Sequence, residues 1–153
     1  MSKDICTCAP LRRLTRRITI IYDHHLQDSE LSITQYSLLS RIGRKGPIAN
    51  IVLAQDMGMD RSTLSRTLKP LVAAGWIETV DLPDDALLDK RSFALQLSRA
   101  GRAKLEEARP RWRRAQDEID RRLGPKLARE FNDLIEDAYA RFTRWQKGVD
   151  KAA

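Results

Sequence analysis

The chain has 153 residues, with 28 Lys or Arg against 21 Asp or Glu and a formal net charge of +7. That length suits one domain, residues 1–153, with a core that needs no staples, and the charge favours a polyanionic partner. No apolar run approaches the roughly 18 residues that span a bilayer, and the N-terminus M-S-K-D-I-C lacks a basic segment followed by an apolar one, so no membrane partner and a cytoplasmic location are expected. Nor is an enzyme expected: there is no metal-spaced ligand set, nucleophile elbow, phosphate loop or deployed carboxylate pair, and no cofactor is implied.

Cys6 and Cys8 come before the first expected helix. A disulfide between them would close a very small ring and staple nothing, and no second ligand pair follows for zinc, which leaves oxidation or a cross-link between subunits as their candidate chemistry. From Pro10 to about Asp28, Leu11, Leu14, Ile18, Ile21 and His25 recur at steps of three and four, which predicts an amphipathic helix. Its other side carries Arg12, Arg13, Arg16 and Arg17, either as a solvated face or as phosphate contacts. His25 on the apolar face reads as a packed histidine or as part of a ligand pocket, and His24 points elsewhere.

Thr34 is the expected cap of a helix over Q-Y-S-L-L-S-R-I, which Gly43 or Gly46 ends before Gly46-Pro47 turns the chain. A short helix is expected over 49–57, closed by Gly58. Then comes D-R-S-T-L-S-R-T-L-K-P-L-V-A-A-G, residues 60–75, with Asp60 as its cap and Gly75 as its left-handed stop. Leu64, Leu68 and Leu71 form its buried stripe, while Arg61, Ser62, Ser65, Arg66 and Lys69 make up the polar side. Two helices joined by a short glycine-containing turn, the second displaying arginine and hydroxyls, make a helix-turn-helix. Arginine matches the two acceptors on guanine's major-groove edge, and hydroxyls near a helix start suit phosphate or bases, although a solvated surface helix would carry similar residues. Pro70 removes one bond from this helix, beyond the turns that would enter a groove.

W-I-E-T-V and S-F-A-L-Q-L alternate as two strands around a charged turn, which predicts a β-wing. Arg91, helped by Lys90, is the candidate for the minor groove at its tip; the other reading pairs Arg91 with Asp89 or Asp85. Ser98 caps a long helix whose stripe is Leu105, Ala108, Trp112, Ala115 and Ile119, with Pro110 expected to bend it. Gly124-Pro125 separates it from a last helix that carries Leu127, Phe131, Leu134, Ala138, Phe142 and Trp145 on one face. So much apolar helix exceeds what a winged helix needs, and predicts a homodimer held by residues 10–28 and 99–147 around a DNA-binding lobe at 31–98. The fold expected is mainly α with a small β-wing: a winged helix-turn-helix with its terminal helices forming a dimerisation region.

The order of L-S-I-T-Q-Y-S-L-L, D-R-S-T-L-S-R-T-L-K-P-L, G-W-I and D-K-R-S-F-A-L-Q-L-S-R-A-G resembles the multiple-antibiotic-resistance regulator (MarR) family of bacterial winged-helix transcription factors, from Leu11 to Trp145. The resemblance implies a repressor-like regulator of double-stranded DNA, a triangular homodimer on a pseudo-palindromic operator. In it Arg61, Ser62, Thr63, Ser65, Arg66 and Lys69 face the major groove, and Arg91, oriented by Asp89, enters the minor groove. It also implies a response to small aromatic or phenolic acids, or to thiol oxidation. For an aromatic acid the candidate residues are Arg16, Tyr22, His25, Tyr36 and Trp112, a mix of aromatic surface and polar tips. The family's peroxide-sensing cysteine sits in its first helix, and its role is not carried over to Cys6 and Cys8, which are expected to precede that helix.

Overall fold

A computed structural model describes residues 6–81 and 93–149, with side chains as far as Thr143. Asp85, Asp89, Lys90 and Arg91 at the expected wing tip, and the side chain of Trp145, lie outside the described residues. The chain divides into two compact units, Met1–Arg114 and Ala115–Ala153. Its elements in order are α1 (Cys8–Leu26), α2 (Ile33–Lys45), β1 (Ile48–Ala49), α3 (Asn50–Asp56), α4 (Arg61–Ala73), β2 (Ile77–Val80), β3 (Ala94–Leu97), α5 (Arg99–Leu123) and α6 (Pro125–Val149). The boundary between the units falls within α5. Among the described residues no helix is long and apolar enough to cross a membrane.

Helix α1 begins two residues earlier than its proline suggests. Thr7 is already helical and the Leu11 amide donates to its carbonyl at 3.3 Å, so Cys8 lies in the first turn instead of ahead of it. Pro10 permits this because first-turn amides have no acceptor within the helix and proline has none to lose. The far end tightens into a 3-10 turn at Gln27–Ser29, closed by Glu30 in the left-handed region at φ 54°.

The cap of α2 is Ser32, not Thr34. Ser32 Oγ accepts from the Gln35 amide at 3.2 Å, while Gln35 Oε1 accepts from the Ser32 amide at 2.9 Å. This reciprocal pair satisfies two free donors at once; the residue three after Thr34 is Ser37, which lacks the reach to return the bond. Asp23 on α1 adds a third acceptor, taking the Ile33 amide at 2.7 Å. At the other end the helix runs to Lys45 and stops at Gly46, φ 71°. Gly43 therefore lies inside α2, where a Cβ would stand 3.0 Å from Leu97 Cδ1 and 3.2 Å from Leu105 Cδ2. The missing side chain lets β3 and α5 close on α2.

Leu38, Leu39 and Ile42 of α2, Leu53 of α3, Leu64, Leu68 and Leu71 of α4, and Leu95 and Leu97 of β3 share one buried cluster. The sheet order is β1-β3-β2, antiparallel throughout, with Ile48 opposite Leu95 and Ile77 opposite Leu97. The expected strands thus shorten to their pairing cores, and a two-residue β1 that alternation did not predict joins their outer side.

The end of α4 and the start of α5 are tied together. Gly75 at φ 71° lets its own amide donate to Val72 and the Trp76 amide to Leu71, at 2.9 and 3.0 Å, the paired closure that uses up the helix's last free carbonyls. Ser98 then reaches back: its amide donates to the Trp76 carbonyl at 3.1 Å and its hydroxyl to the Gly75 carbonyl at 2.6 Å, while its oxygen caps α5 by accepting the Gly101 amide at 2.9 Å. A Cβ on Gly101 would overlap the Trp76 carbonyl oxygen, a backbone atom held on both sides.

In the second unit Gly124, φ 80°, makes the bend before Pro125, and Ile119 and Ala128 are buried. Most of the apolar stripe of α6 is uncovered: Leu127, Leu134, Tyr139 and Phe142 are all exposed, Leu134 by 66% and Phe142 by 71%.

Gly101→Ala is expected to destabilise the fold by about 2 kcal/mol or more, because backbone must move to admit one methyl group. Gly46→Ala, where a Cβ meets nothing and only φ is unfavourable, should cost about 1 kcal/mol. Urea denaturation of the two variants side by side checks the order; equal losses would show that the Trp76 contact yields freely.

Candidate nucleic-acid interface

The turn between α3 and α4 is Met57–Asp60. Gly58, at φ 62°, donates to Gln55 at 3.1 Å and Met59 donates to Ala54 at 2.9 Å, so α3 closes as α4 does and releases the chain within three residues. Asp60 then takes an extended backbone and starts α4. Leu64, Leu68 and Leu71 are buried, which leaves Arg61, Ser62, Ser65, Arg66 and Lys69 exposed along the opposite face; Thr63 is half-buried. Pro70 does not interrupt the helix, which continues to Ala73.

Asp60 does more than cap. Its Oδ1 accepts from the Thr63 amide at 2.8 Å and from Ser62 Oγ at 2.7 Å, and its Oδ2 accepts from Thr63 Oγ1 at 2.8 Å. These donors, the Ser62 hydroxyl foremost, hold the carboxyl well below the usual carboxylate range, and it is ionised at neutral pH. Arg66 Nη2 in turn donates to Thr63 Oγ1 at 3.4 Å, and Thr67 Oγ1 donates to the Thr63 carbonyl at 2.9 Å. Of the six α4 residues singled out from sequence, five are brought to one exposed face, while Thr63 is turned toward Asp60.

Beside this face is a hollow of about 490 Å³ that the sequence did not suggest. Asn50, Thr79 and Phe93 line it with Arg61, Ser65 and Lys69. Asn50 ends the sheet at this point, its amide donating to the Phe93 carbonyl at 3.0 Å. Asn50 owes this place to its pairing with Phe93, which is long-range in sequence.

The candidates for an aromatic ligand separate. Tyr36 of α2 and Trp112 of α5 stack, with ring centroids 5.7 Å apart and planes 13° from parallel, and both line an open groove of about 820 Å³ with Arg44, Arg102, Arg109 and Arg113. Burial pushes the Tyr36 phenol above its ordinary pKa, against the pull of Arg109 and Arg113. Arg109 is paired with Glu106 at 2.7 Å. Arg16, Tyr22 and His25 do not line this groove; Arg16 is exposed on α1, and Tyr22 and His25 are half-buried. Cys6 and Cys8 are free and exposed.

The MarR family model matches residues 31–86. The multiple antibiotic resistance protein MarR of Salmonella typhimurium is 29% identical over 91 residues, 60% of this chain, and the match spans about 60% of that curated relative's length. Among solved structures, the transcriptional regulator MosR of M. tuberculosis in complex with DNA is 32% identical with a TM-score of 0.71, covering 89% of this chain and 98% of that one. A probable transcriptional regulator from Pseudomonas aeruginosa is 25% identical with a TM-score of 0.77, covering 90% and 99%. The likeness to these structures runs through the winged lobe and the terminal helices, beyond the segment that the family model matches, and the chain belongs to the MarR family.

Proposed function

We propose that the protein is a transcriptional regulator that binds double-stranded DNA as a homodimer, acting as a ligand-responsive repressor on a pseudo-palindromic operator. The observation that carries this is the exposed face of α4, where Arg61, Ser65, Arg66 and Lys69 stand clear of the core on the second helix of a helix-turn-helix. The net charge of +7 and the DNA complex of a relative at 32% identity support the reading. In it Arg66 donates to guanine and Lys69 to phosphate, while Arg91, oriented by Asp89 and helped by Lys90, reaches the minor groove. Selection of bound genomic fragments followed by gel shift tests it: affinity should fall steeply with salt. Arg66→Ala should weaken operator binding by about 1–3 kcal/mol and relax base preference at one position of each half-site. A uniform loss over all sequences would make Arg66 a phosphate contact instead.

The exposed stripe of α6 supports the dimer, since an apolar surface of that extent on a single chain marks an interaction site. Replacing Leu134 and Phe142 together by Glu should give a folded monomer in sedimentation velocity, with operator binding lost. A dimer that survives both substitutions places the interface elsewhere.

The effector is read as a small aromatic acid, because the α2–α5 groove joins the stacked Tyr36 and Trp112 to several guanidinium groups. One observation favours a second reading. Both thiols are exposed and Cys8 opens α1, so oxidation of Cys6 and Cys8 can reach the helix directly. Calorimetric titration with a panel of aromatic acids, with and without operator, separates the two. Binding that Trp112→Ala abolishes supports the ligand; no binding by any acid, with release of DNA by peroxide only while the cysteines are present, supports the thiols.

A further inference from the structure

The exposed face of α4 carries hydroxyls that could donate or accept, and the distinction decides what they can read. An ionised carboxylate has no proton and can only accept. At 2.7 Å from Asp60 Oδ1, Ser62 Oγ must therefore be the donor, and at 2.8 Å from Oδ2 the same holds for Thr63 Oγ1. Each hydroxyl has one proton, and both are spent inside the protein. Thr63 is half-buried and its oxygen already accepts from Arg66. Ser62 is exposed, with lone pairs but no proton to offer.

We infer that Asp60 fixes the hydrogen-bond polarity of the reading surface, so that Ser62 selects a base bearing an amino group in the major groove, cytosine or adenine, and does not bind phosphate. The inference rests on the DNA-reading function proposed above and concerns which groups that face recognises. Phosphate oxygens are acceptors only, as are the O6 and N7 of guanine and the O4 of thymine; the major-groove donors are cytosine N4 and adenine N6. Turning the Ser62 proton outward would give up a charge-assisted bond, which is stronger than the neutral bond it would gain. The carboxylate behind Ser62 adds repulsion toward a phosphate at that point. Arg66, with five donors and no acceptor, supplies the opposite polarity one turn away. A donor-reading serine and an acceptor-reading arginine thus sit on the same face, and Asp60 is a positioning residue that acts through Ser62.

The test uses the full-length protein and the operator selected with it. Ser62→Ala should remove preference at one position of each half-site, and the base preferred there by the unaltered protein should be cytosine or adenine. Replacing that base by its analogue without the amino group, pyrimidin-2-one or purine, should weaken the unaltered protein about three- to tenfold, the range of one hydrogen bond, and leave Ser62→Ala unchanged. Asp60→Asn keeps a residue that caps well but makes the acceptor neutral; it should narrow the discrimination at that same position while circular dichroism stays unchanged. Equal binding of the analogue and the natural base, a preference for guanine or thymine there, or a sequence-independent loss in Ser62→Ala overturns the inference and leaves the DNA-reading function standing. If the unaltered protein shows no sequence preference, both fall.

Discussion

Much of the first unit depends on one small junction, where Ser98 and Gly101 meet Gly75 and Trp76. The closing turn of α4, the residue before β2, the residue after β3 and the first turn of α5 are held there by three hydrogen bonds and one backbone contact. Ser98 is buried, and its one side chain serves both ends of the junction as donor and acceptor. Gly43 does the same for side chains that Gly101 does for backbone, letting Leu97 and Leu105 press on α2. The angle at which α4 presents its polar face is set by what packs beneath it, at Leu64, Leu68 and Leu71, and by this junction at its end. Because α2, α4 and the first turns of α5 share these contacts, the Tyr36–Trp112 groove is built on the same frame as α4.

What the sequence told and what it withheld follow from the range of the interactions. Helix α4 was legible in full because its signals are local: a cap at Asp60, a leucine stripe at helical spacing, a glycine at the stop. The same holds for Gly124 and Pro125. Ser32 caps α2 instead of the expected Thr34 because a capping box is a property of two residues, and only Ser32 has a glutamine at the returning position. Strand β1 has two residues, too short for any alternation, and exists only through β3. Cys8 lies inside α1, against the expectation from Pro10, because a first turn accepts proline beyond its opening residue. Among the ligand candidates, periodicity identified a face on each helix but not which faces share a groove, so Tyr36 and Trp112 came together and Arg16, Tyr22 and His25 did not join them. The polarity of Ser62 is not legible for a different reason: the sequence marks Asp60 as an acceptor for an amide, and the two hydroxyls that also turn to it become visible only in three dimensions.

Charge on this chain is distributed by function of place. The acids on α5 lie three or four residues from its basic side chains, as Glu107 does with Lys104 and Arg111 and Glu118 with Arg122, and such exposed pairs contribute little to stability. They do offset part of that helix's positive charge. On α4 no acid lies between Arg61 and Lys69, and Asp60 spends its charge on its own neighbours. The exposed face of α4 therefore carries basic side chains with no acid of its own helix among them.

The sheet itself has a consequence for how copies of the chain associate. On one side its edge is β1, two residues long, which passes at once into α3, and there the Asn50 side chain takes up the Ile51 amide. A strand so short offers almost no row of free amides and carbonyls on which another chain could extend the sheet. Edge-to-edge growth, the usual route from a small antiparallel sheet to aggregates and fibres, is blunted there. The opposite edge is β2, so this protection belongs to the β1 side.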